Sequence, residues 1–436
     1  MGRDRYQDTV AYLQQLEVTS GWDLKLDRMR QALALLAEPQ ARFPGLHIAG
    51  TNGKGSVAAF SEAILRAAGY RTGLYTSPHL VDFSERIRAG GRRIPERTVV
   101  EIVDELRAVL DDAALALTHF ELVTLLAFVW FARIGVDAAI VEVGLGGRLD
   151  ATNLVSPAVT AITPIAHDHQ AYLGADLTSI AAEKAGIIKP GVPVCVGVQS
   201  PLAFRVLEER AAEVGAPLLE VGRDGRLDAG VFSGPGALRW EGLAVGPRGR
   251  YQHDNAELAL LTVAAAQPRW PVTVDAVRTG LTRTSWPGRL SVLETSPPVV
   301  LDGAHNPAAA AALARELPAL VGGRRVRLVF ATMSDKDWQG VLASLRPLVA
   351  SVVVTRVGPR ALDPETVVQA LRGVVPVRAI PEPAAALRIA MAEASVDDVV
   401  LVTGSLFLVG EAYAELSGCP FEPWQGWGSD ATDPLG

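Results

Sequence analysis

The sequence is poor in sulfur: two cysteines and four methionines in 436 residues, with Cys195 and Cys419 far apart and neither near a partner at metal-ligand spacing. That argues against a cysteine-held zinc site and fits a reducing compartment. Positive charge is not in excess either, since 41 Lys and Arg against 48 Asp and Glu leave a net charge of −7. Bulk attraction to nucleic acid or to an anionic membrane is therefore not expected. Any anionic substrate must be held by local donors and a metal. Long apolar runs are missing too: the longest, around residues 122–131, is too short to span a bilayer, and the opening MGRDRYQDTVAYL lacks the apolar core of a secretory leader. A cytoplasmic, monomeric protein with small-molecule partners is expected. What is present, 49% hydrophobic and 20% charged residues, is the balance of an ordinary globular chain, and the length exceeds what one core usually supports.

Strand, turn and helix alternate almost throughout, which predicts an α/β protein built on parallel sheets. Residues 45–49 read as a strand, and 56–68 as a helix with Val57, Phe60, Ile64 and Ala68 on one face and Gly69 at its end. Further buried strands are expected over 138–143, 158–163 and 193–198, with helices over 120–134 and 179–188 between them. Residues 225–250 are Gly-rich and alternating, as in a small antiparallel appendage. A second series of strands is expected over 299–302, 327–331, 351–355 and 399–403. The break at Ser285-Trp286-Pro287-Gly288 divides the chain into a P-loop-containing parallel-sheet ATPase domain, 1–285, and a smaller Rossmann-like α/β domain, 286–418, leaving 419–436 as a tail.

The strongest chemical signal is Ala49-Gly50-Thr51-Asn52-Gly53-Lys54-Gly55-Ser56, where a strand gives way to a helix. Glycines let the backbone approach phosphate oxygens, N–H groups and the helix N-terminus supply positive potential, and Lys54 adds a full charge. The common pattern G-x-x-x-x-G-K-[ST] is not met, because Ile48 occupies its first glycine and Gly55 stands between Lys54 and the hydroxyl of Ser56. Glu142 closes a predicted buried strand, placing a carboxylate in the crevice at the carboxyl edge of a parallel sheet, where it can hold Mg²⁺.

The loop resembles the GTNGKGS loop of the Mur-ligase superfamily, and further segments resemble the folylpolyglutamate synthase/dihydrofolate synthase branch in the same order along nearly the whole chain. These are Thr76-Ser77-Pro78-His79-Leu80 with Glu85-Arg86-Ile87; EVGLGGRLDATN at 142–153; Asp168-His169-Gln170, Leu173-Gly174 and Glu183-Lys184-Ala185-Gly186; LDGAHNP at 301–307; and Gly404-Ser405-Leu406-Phe407. The chain departs from the branch at Ala166, where glycine is frequent, and over 225–250, where no motif matches.

The resemblance implies an ATP- and Mg²⁺-dependent ligase that joins L-glutamate to dihydropteroate or a reduced folate. It implies that Gly53, Lys54, Gly55, Ser56 and Asn255 hold ATP, and that Arg289, Asp302 and His305 close over ATP and the reacting carboxylate. It adds Ser77 and His169 to Glu142 as ligands of one metal ion and gives Ser56 to the ion bound with the phosphates, with His167 the competing histidine. Lys184 corresponds to a lysine commonly carboxylated on its Nζ, a reversal of charge that could position metal through water. Trp22-Asp23-Leu24, Thr118-His119-Phe120-Glu121 and Leu149-Asp150-Ala151 resemble stretches that hold dihydropteroate, and Ser405 joins the substrate set. Another Mur-like amide ligase, acting on poly-γ-glutamate or cell-wall peptides, would share the loop and metal residues. A P-loop switch would carry a guanine-reading N-K-x-D, which is absent.

Overall fold

The structure, a computed structural model, describes residues 2–20, 25–358 and 360–417. Trp22, Asp23 and Leu24, like Cys419 and the tail at 419–436, lie outside the described residues.

The fold is a two-domain α/β arrangement with two separate open sheets. The larger runs in the order β4-β3-β2-β5-β1-β6-β7-β8. Its strands are β1 (Gly45–Ala49), β2 (Thr72–Tyr75), β3 (Ile87–Ala89), β4 (Arg92–Arg93), β5 (Ala138–Glu142), β6 (Pro157–Ile162), β7 (Val194–Val196) and β8 (Leu218–Glu220). All neighbours from β2 to β8 are parallel, while β3 and β4 add an antiparallel edge. The central strands β1 and β5 are buried along their whole length, so they show no polar–apolar alternation and are apolar but for His47 and Glu142.

Three short antiparallel strands, β9 (Arg226–Asp228), β10 (Val231–Ser233) and β11 (Arg239–Trp240), form the expected appendage. It is held by the stacked rings of Phe232 and Trp240, in one core with the helix Arg250–Ala265.

The second sheet has the order β12-β13-β17-β14-β15-β16, from β12 (Ser291–Leu293), β13 (Val299–Leu301), β14 (Arg325–Phe330), β15 (Val349–Val354), β16 (Val377–Ala379) and β17 (Asp398–Thr403). Only the β12 to β13 pairing is antiparallel. Asp398 is buried at the start of β17 and takes two guanidinium bonds, from Arg325 at 2.8 Å and Arg327 at 2.9 Å.

Several elements differ from expectation at their ends. The helix after the phosphate loop starts at Lys54, two residues early, with Gly53 as its N-cap at φ 94°, a conformation a side chain would strain. The helix expected over 120–134 is His119–Ile134, opened by a reciprocal cap between Thr118 and Glu121. Asn255 is the sixth residue of the helix Arg250–Ala265, well inside it, so it does not cap the helix end.

Candidate active site

The carboxyl ends of β1, β5 and β6 carry the first group of functional side chains. After β1 the loop bends so that Thr51 and Asn52 donate backbone N–H groups to the Pro164 carbonyl at 3.1 and 3.5 Å, fastening the phosphate loop to the end of β6. Lys54 Nζ donates to the Thr51 carbonyl at 3.2 Å, and buried Lys184 donates to the Gly50 carbonyl at 2.8 Å. Two lysines thus serve one loop. Burial, then the charge of Lys54, pushes the Lys184 ammonium down to about 7, so near neutral pH half of it is the free amine. Asn255 Oδ1 fills the space beside Gly53, where a β-carbon would come within 2.3 Å of it, and its Nδ2 donates to Gln252 at 3.1 Å. Asn255 therefore abuts the phosphate loop.

Glu142, the last residue of β5, is buried and accepts the Ser77 backbone N–H at 3.1 Å. Burial raises its carboxyl above the usual range, while Lys54, the Ser77 bond and Arg289 oppose that rise. A cleft opens here, lined among others by Gly55, Ser77, Glu142, Trp286 and Arg289. It draws on both sheets' domains, since Arg289 precedes β12. Among the described residues no group of three or more His, Cys, Asp and Glu side chains gathers to hold a metal. A divalent ion beside Glu142 would thus take one carboxylate plus hydroxyl, phosphate and water oxygens, which is the donor set Mg²⁺ accepts.

His169 sits in a different group. Its backbone is left-handed at φ 51°, and its Nε2 lies 3.3 Å from Lys336 Nζ, beside Asp168. Burial draws this imidazole down to about 4 against the pull of Asp168. Ligation of an ion beside Glu142 would require His169 to turn away from Lys336. Asp168 is the hub of this group: Lys336 pairs with it, His305 Nε2 lies at 3.4 Å, and Asn306 donates to it at 3.2 Å. Burial would raise the Asp168 carboxyl, yet its contacts with His305, then Lys336 and His169, hold it well below the usual range. Asn306 and Asn52 exchange amide bonds at 3.0 and 3.1 Å, joining the phosphate loop directly to the second domain. His167, the competing histidine, meets Gln170 at 3.4 Å.

Other predicted residues turn out to have structural partners. The Asp302 carboxylate, expected to face ATP, accepts from Tyr251 at 2.6 Å and from the Leu290 and Ala304 N–H groups at 2.8 and 2.9 Å. It braces the segments that carry Arg289 and His305. Asp150 is likewise occupied, capping the turn Ala151–Leu154 through Thr152 N at 3.0 Å and accepting the Leu145 N–H at 2.8 Å. Burial raises it, against those hydrogen bonds. Glu121 accepts from Thr118 and from Arg28, and His119 spans the Leu13 carbonyl and Arg86. Phe120 lies against Gly144 in the turn that follows Glu142, the same turn that Asp150 anchors and that leads on to Leu149 and Ala151. Ser405 accepts the Phe407 N–H at 3.2 Å at the start of the helix Leu406–Ser417. Lys336 was not anticipated. The cue was the charged run Ser334-Asp335-Lys336-Asp337 just beyond the carboxyl end of β14.

Among proteins of known sequence, the dihydrofolate synthase/folylpolyglutamate synthase of Mycobacterium tuberculosis is 39% identical over 82% of this chain and 81% of its own length. That of Escherichia coli is 36% identical over 92% of this chain and 93% of its own. The chain belongs to the folylpolyglutamate synthase/dihydrofolate synthase family. Residues 288–406 match the Mur ligase glutamate ligase domain. The Mycobacterium tuberculosis folylpolyglutamate synthase complexed with ADP superposes with a TM-score of 0.88 at 34% identity, covering 95% of this chain and 98% of that one. Escherichia coli FolC in complex with DHPP and ADP gives 0.87 at 35% identity, covering 94% and 98%. A solved Yersinia pestis member carries AMPPNP and a manganese ion, with a TM-score of 0.84 at 36% identity over 94% of this chain and 98% of that one. Membership in this synthase family selects the ligase reading over a nucleotide switch. Among the described residues no helix is long and apolar enough to cross a membrane.

Proposed function

We propose that this chain is an ATP-dependent ligase that joins the amine of L-glutamate to the carboxylate of dihydropteroate or to the γ-carboxylate of a reduced folate, at one site. The observation that carries this reading is the convergence on one cleft of the phosphate-loop residue Gly55, the buried carboxylate Glu142 and the second-domain cation Arg289.

A carboxylate is a poor acyl donor at neutral pH, because resonance and negative charge repel an amine. Transfer of the γ-phosphoryl group of ATP makes an acyl phosphate, and attack by the glutamate amine then releases phosphate. Lys54 and the N–H groups at the start of its helix hold the phosphates, and Arg289 offsets charge as the phosphoryl group moves. Glu142, Ser77 and Ser56 would hold Mg²⁺, with His169 joining once it leaves Lys336. When bound, that ion neutralises phosphate charge and orients the oxygens for in-line transfer. Phe120, Leu149, Asp150 and Ala151 border the acceptor. Lys336, paired with Asp168, would hold a carboxylate of the incoming glutamate by sharing its charge with that partner. Orientation of three substrates in one cleft can supply roughly 7–11 kcal/mol of the barrier. The depressed Lys184 ammonium supports carboxylation of its Nζ, because only the free amine adds CO₂.

An ADP-release assay with glutamate tests the reading, comparing dihydropteroate with tetrahydrofolate. Both should be consumed. An enzyme that extends tetrahydrofolate but leaves dihydropteroate untouched would refute dual activity and leave the ligase standing; silence with both would refute the substrate class. For Lys184, an inactive Lys184→Ala protein partly restored by short carboxylic acids is expected, and a fully active one rules the carboxylation out.

A further inference from the structure

The phosphate loop departs from the common pattern by one extra glycine, Gly55, between Lys54 and Ser56, and close approach to phosphate is not the only demand on that position. Gly55 is the second residue of the helix Lys54–Ala67, where an alanine would suit the backbone at least as well. The reason lies across the cleft. A β-carbon on Gly55 would stand 2.9 Å from Cζ2, 3.0 Å from Nε1 and 3.1 Å from Cε2 of Trp286. These are atoms of a rigid ring, not the free end of a flexible chain. The indole is held from another side by Arg88, whose guanidinium carbon lies 5.5 Å from the ring centroid and whose Nε donates to the Glu85 carbonyl at 3.1 Å.

Trp286 stands three residues before Arg289, on the segment that crosses from the first domain to the second. Between them, Gly288 donates to Ser291 Oγ at 3.1 Å, and its carbonyl accepts both the Arg289 guanidinium at 3.0 Å and the Gly303 N–H at 2.8 Å. The guanidinium also lies over Gly303, where a β-carbon would meet Arg289 Nη1 at 2.3 Å. A short, internally bonded turn therefore links the indole seated on the phosphate loop to the cation that faces the same cleft.

We propose that Trp286 is a positioning residue: by packing on Gly55 it sets the distance of Arg289 from the phosphate loop, and Gly55 is glycine to admit it. The inference rests on the reading of Arg289 as the cation that stabilises phosphoryl transfer. A displacement of about 1 Å in such a group costs on the order of 10²-fold in rate.

The test is a double-mutant cycle on the full chain with Gly55→Ala and Trp286→Phe, read as kcat and as KM for ATP, with folding followed by thermal unfolding and ADP binding by calorimetry. Gly55→Ala alone should lower kcat by about 10²-fold. Adding Trp286→Phe, which removes the indole atoms nearest the new methyl group, should recover at least about tenfold of it. If Gly55→Ala does not fold, return of a folded, ADP-binding protein in the double variant is the same rescue. Trp286→Ala should lower kcat far more than it raises KM for ATP, because the phosphate loop itself is intact. A double variant no better than Gly55→Ala, or a Trp286→Ala protein with the kcat of the parent, overturns the proposal. Arg289→Ala is run beside them. If it is inactive while the rescue fails, positioning by Trp286 is wrong and the role of Arg289 stands; if it is fully active, that role falls and the positioning claim with it.

Discussion

Replacing Lys184 by methionine should make the protein more stable and inactive at once. Burial brings Lys184 down from 10.5 to about 7. At 1.36 kcal/mol per unit, that displacement means that folding with the lysine charged costs about 5 kcal/mol more than folding with it neutral. The sign follows from proton counts. Between about 7 and 10.5 the unfolded chain binds the proton and the folded chain does not, so this group's penalty is full below pH 7 and fades as pH rises toward 10.5. The same linkage leaves about 5 kcal/mol at pH 6 and about 2 kcal/mol at pH 9. Methionine keeps the length of the side chain without the charge, at the cost of about 1–3 kcal/mol for leaving the Gly50 carbonyl without its donor. Lys184→Met should therefore be the more stable protein at pH 6, with an advantage that shrinks by about 3 kcal/mol by pH 9. Urea unfolding followed by circular dichroism in CO₂-free buffer at the two pH values measures that change. Because loss of the Gly50 bond is common to both, it cancels in the comparison. A stability gap that does not change with pH would refute the buried-ammonium argument, whatever happens to activity.

Lys54→Ala should abolish ATP-dependent ligation with an unchanged circular dichroism spectrum, because among the described residues its ammonium bonds to the Thr51 carbonyl alone and takes no part in a hydrophobic core; near-normal activity would sink the phosphate-loop assignment. Glu142→Gln keeps volume and can keep the Ser77 bond, so the fold should survive while activity falls by more than about 10²-fold, with at most partial rescue at high Mg²⁺; full rescue would make Glu142 a weak contributor to the metal site. Asp150→Ala should raise KM for the acceptor far more than KM for ATP and also lower stability by about 1–3 kcal/mol, because the Leu145 and Thr152 N–H groups lose their acceptor. A stability loss with both KM values unchanged would leave Asp150 a turn residue only.

The parts of the site that were legible are those written in local pattern. Residues 45–49 and 138–142 lack polar–apolar alternation because both faces of β1 and β5 are covered, so the glycine turn after one and the carboxylate closing the other stand out. The 225–250 appendage was legible for the opposite reason, in its alternation and its glycines. What stayed hidden was how partners are shared. Asp150 and Asp302 look like free carboxylates in sequence, but backbone N–H groups consume them: besides the local amides of Thr152 and Ala304 two residues on, Leu145 and Leu290 donate from five and twelve residues away, and those partners have no signature in the sequence. Lys336 escaped notice because one lysine in a charged loop is ordinary until the fold brings it to Asp168. The edge strands β3 and β4 span three and two residues, too short for any periodicity to register.

The reciprocal amide pair between Asn52 and Asn306 bears on how the protein ages. Asn52 precedes Gly53, and an Asn-Gly step deamidates readily, because an unhindered glycine nitrogen can reach the side-chain carbonyl. Here the Asn52 amide is fixed by two bonds to Asn306, at 3.0 and 3.1 Å, so the pairing that joins the domains also restrains the side chain that would have to turn onto the Gly53 nitrogen. Loss of the pairing exposes the step, and the aspartate then formed would stand opposite Asn306, whose amide already serves Asp168. Chemical damage at the phosphate loop should accordingly accumulate during storage in proportion to the time the two domains spend apart.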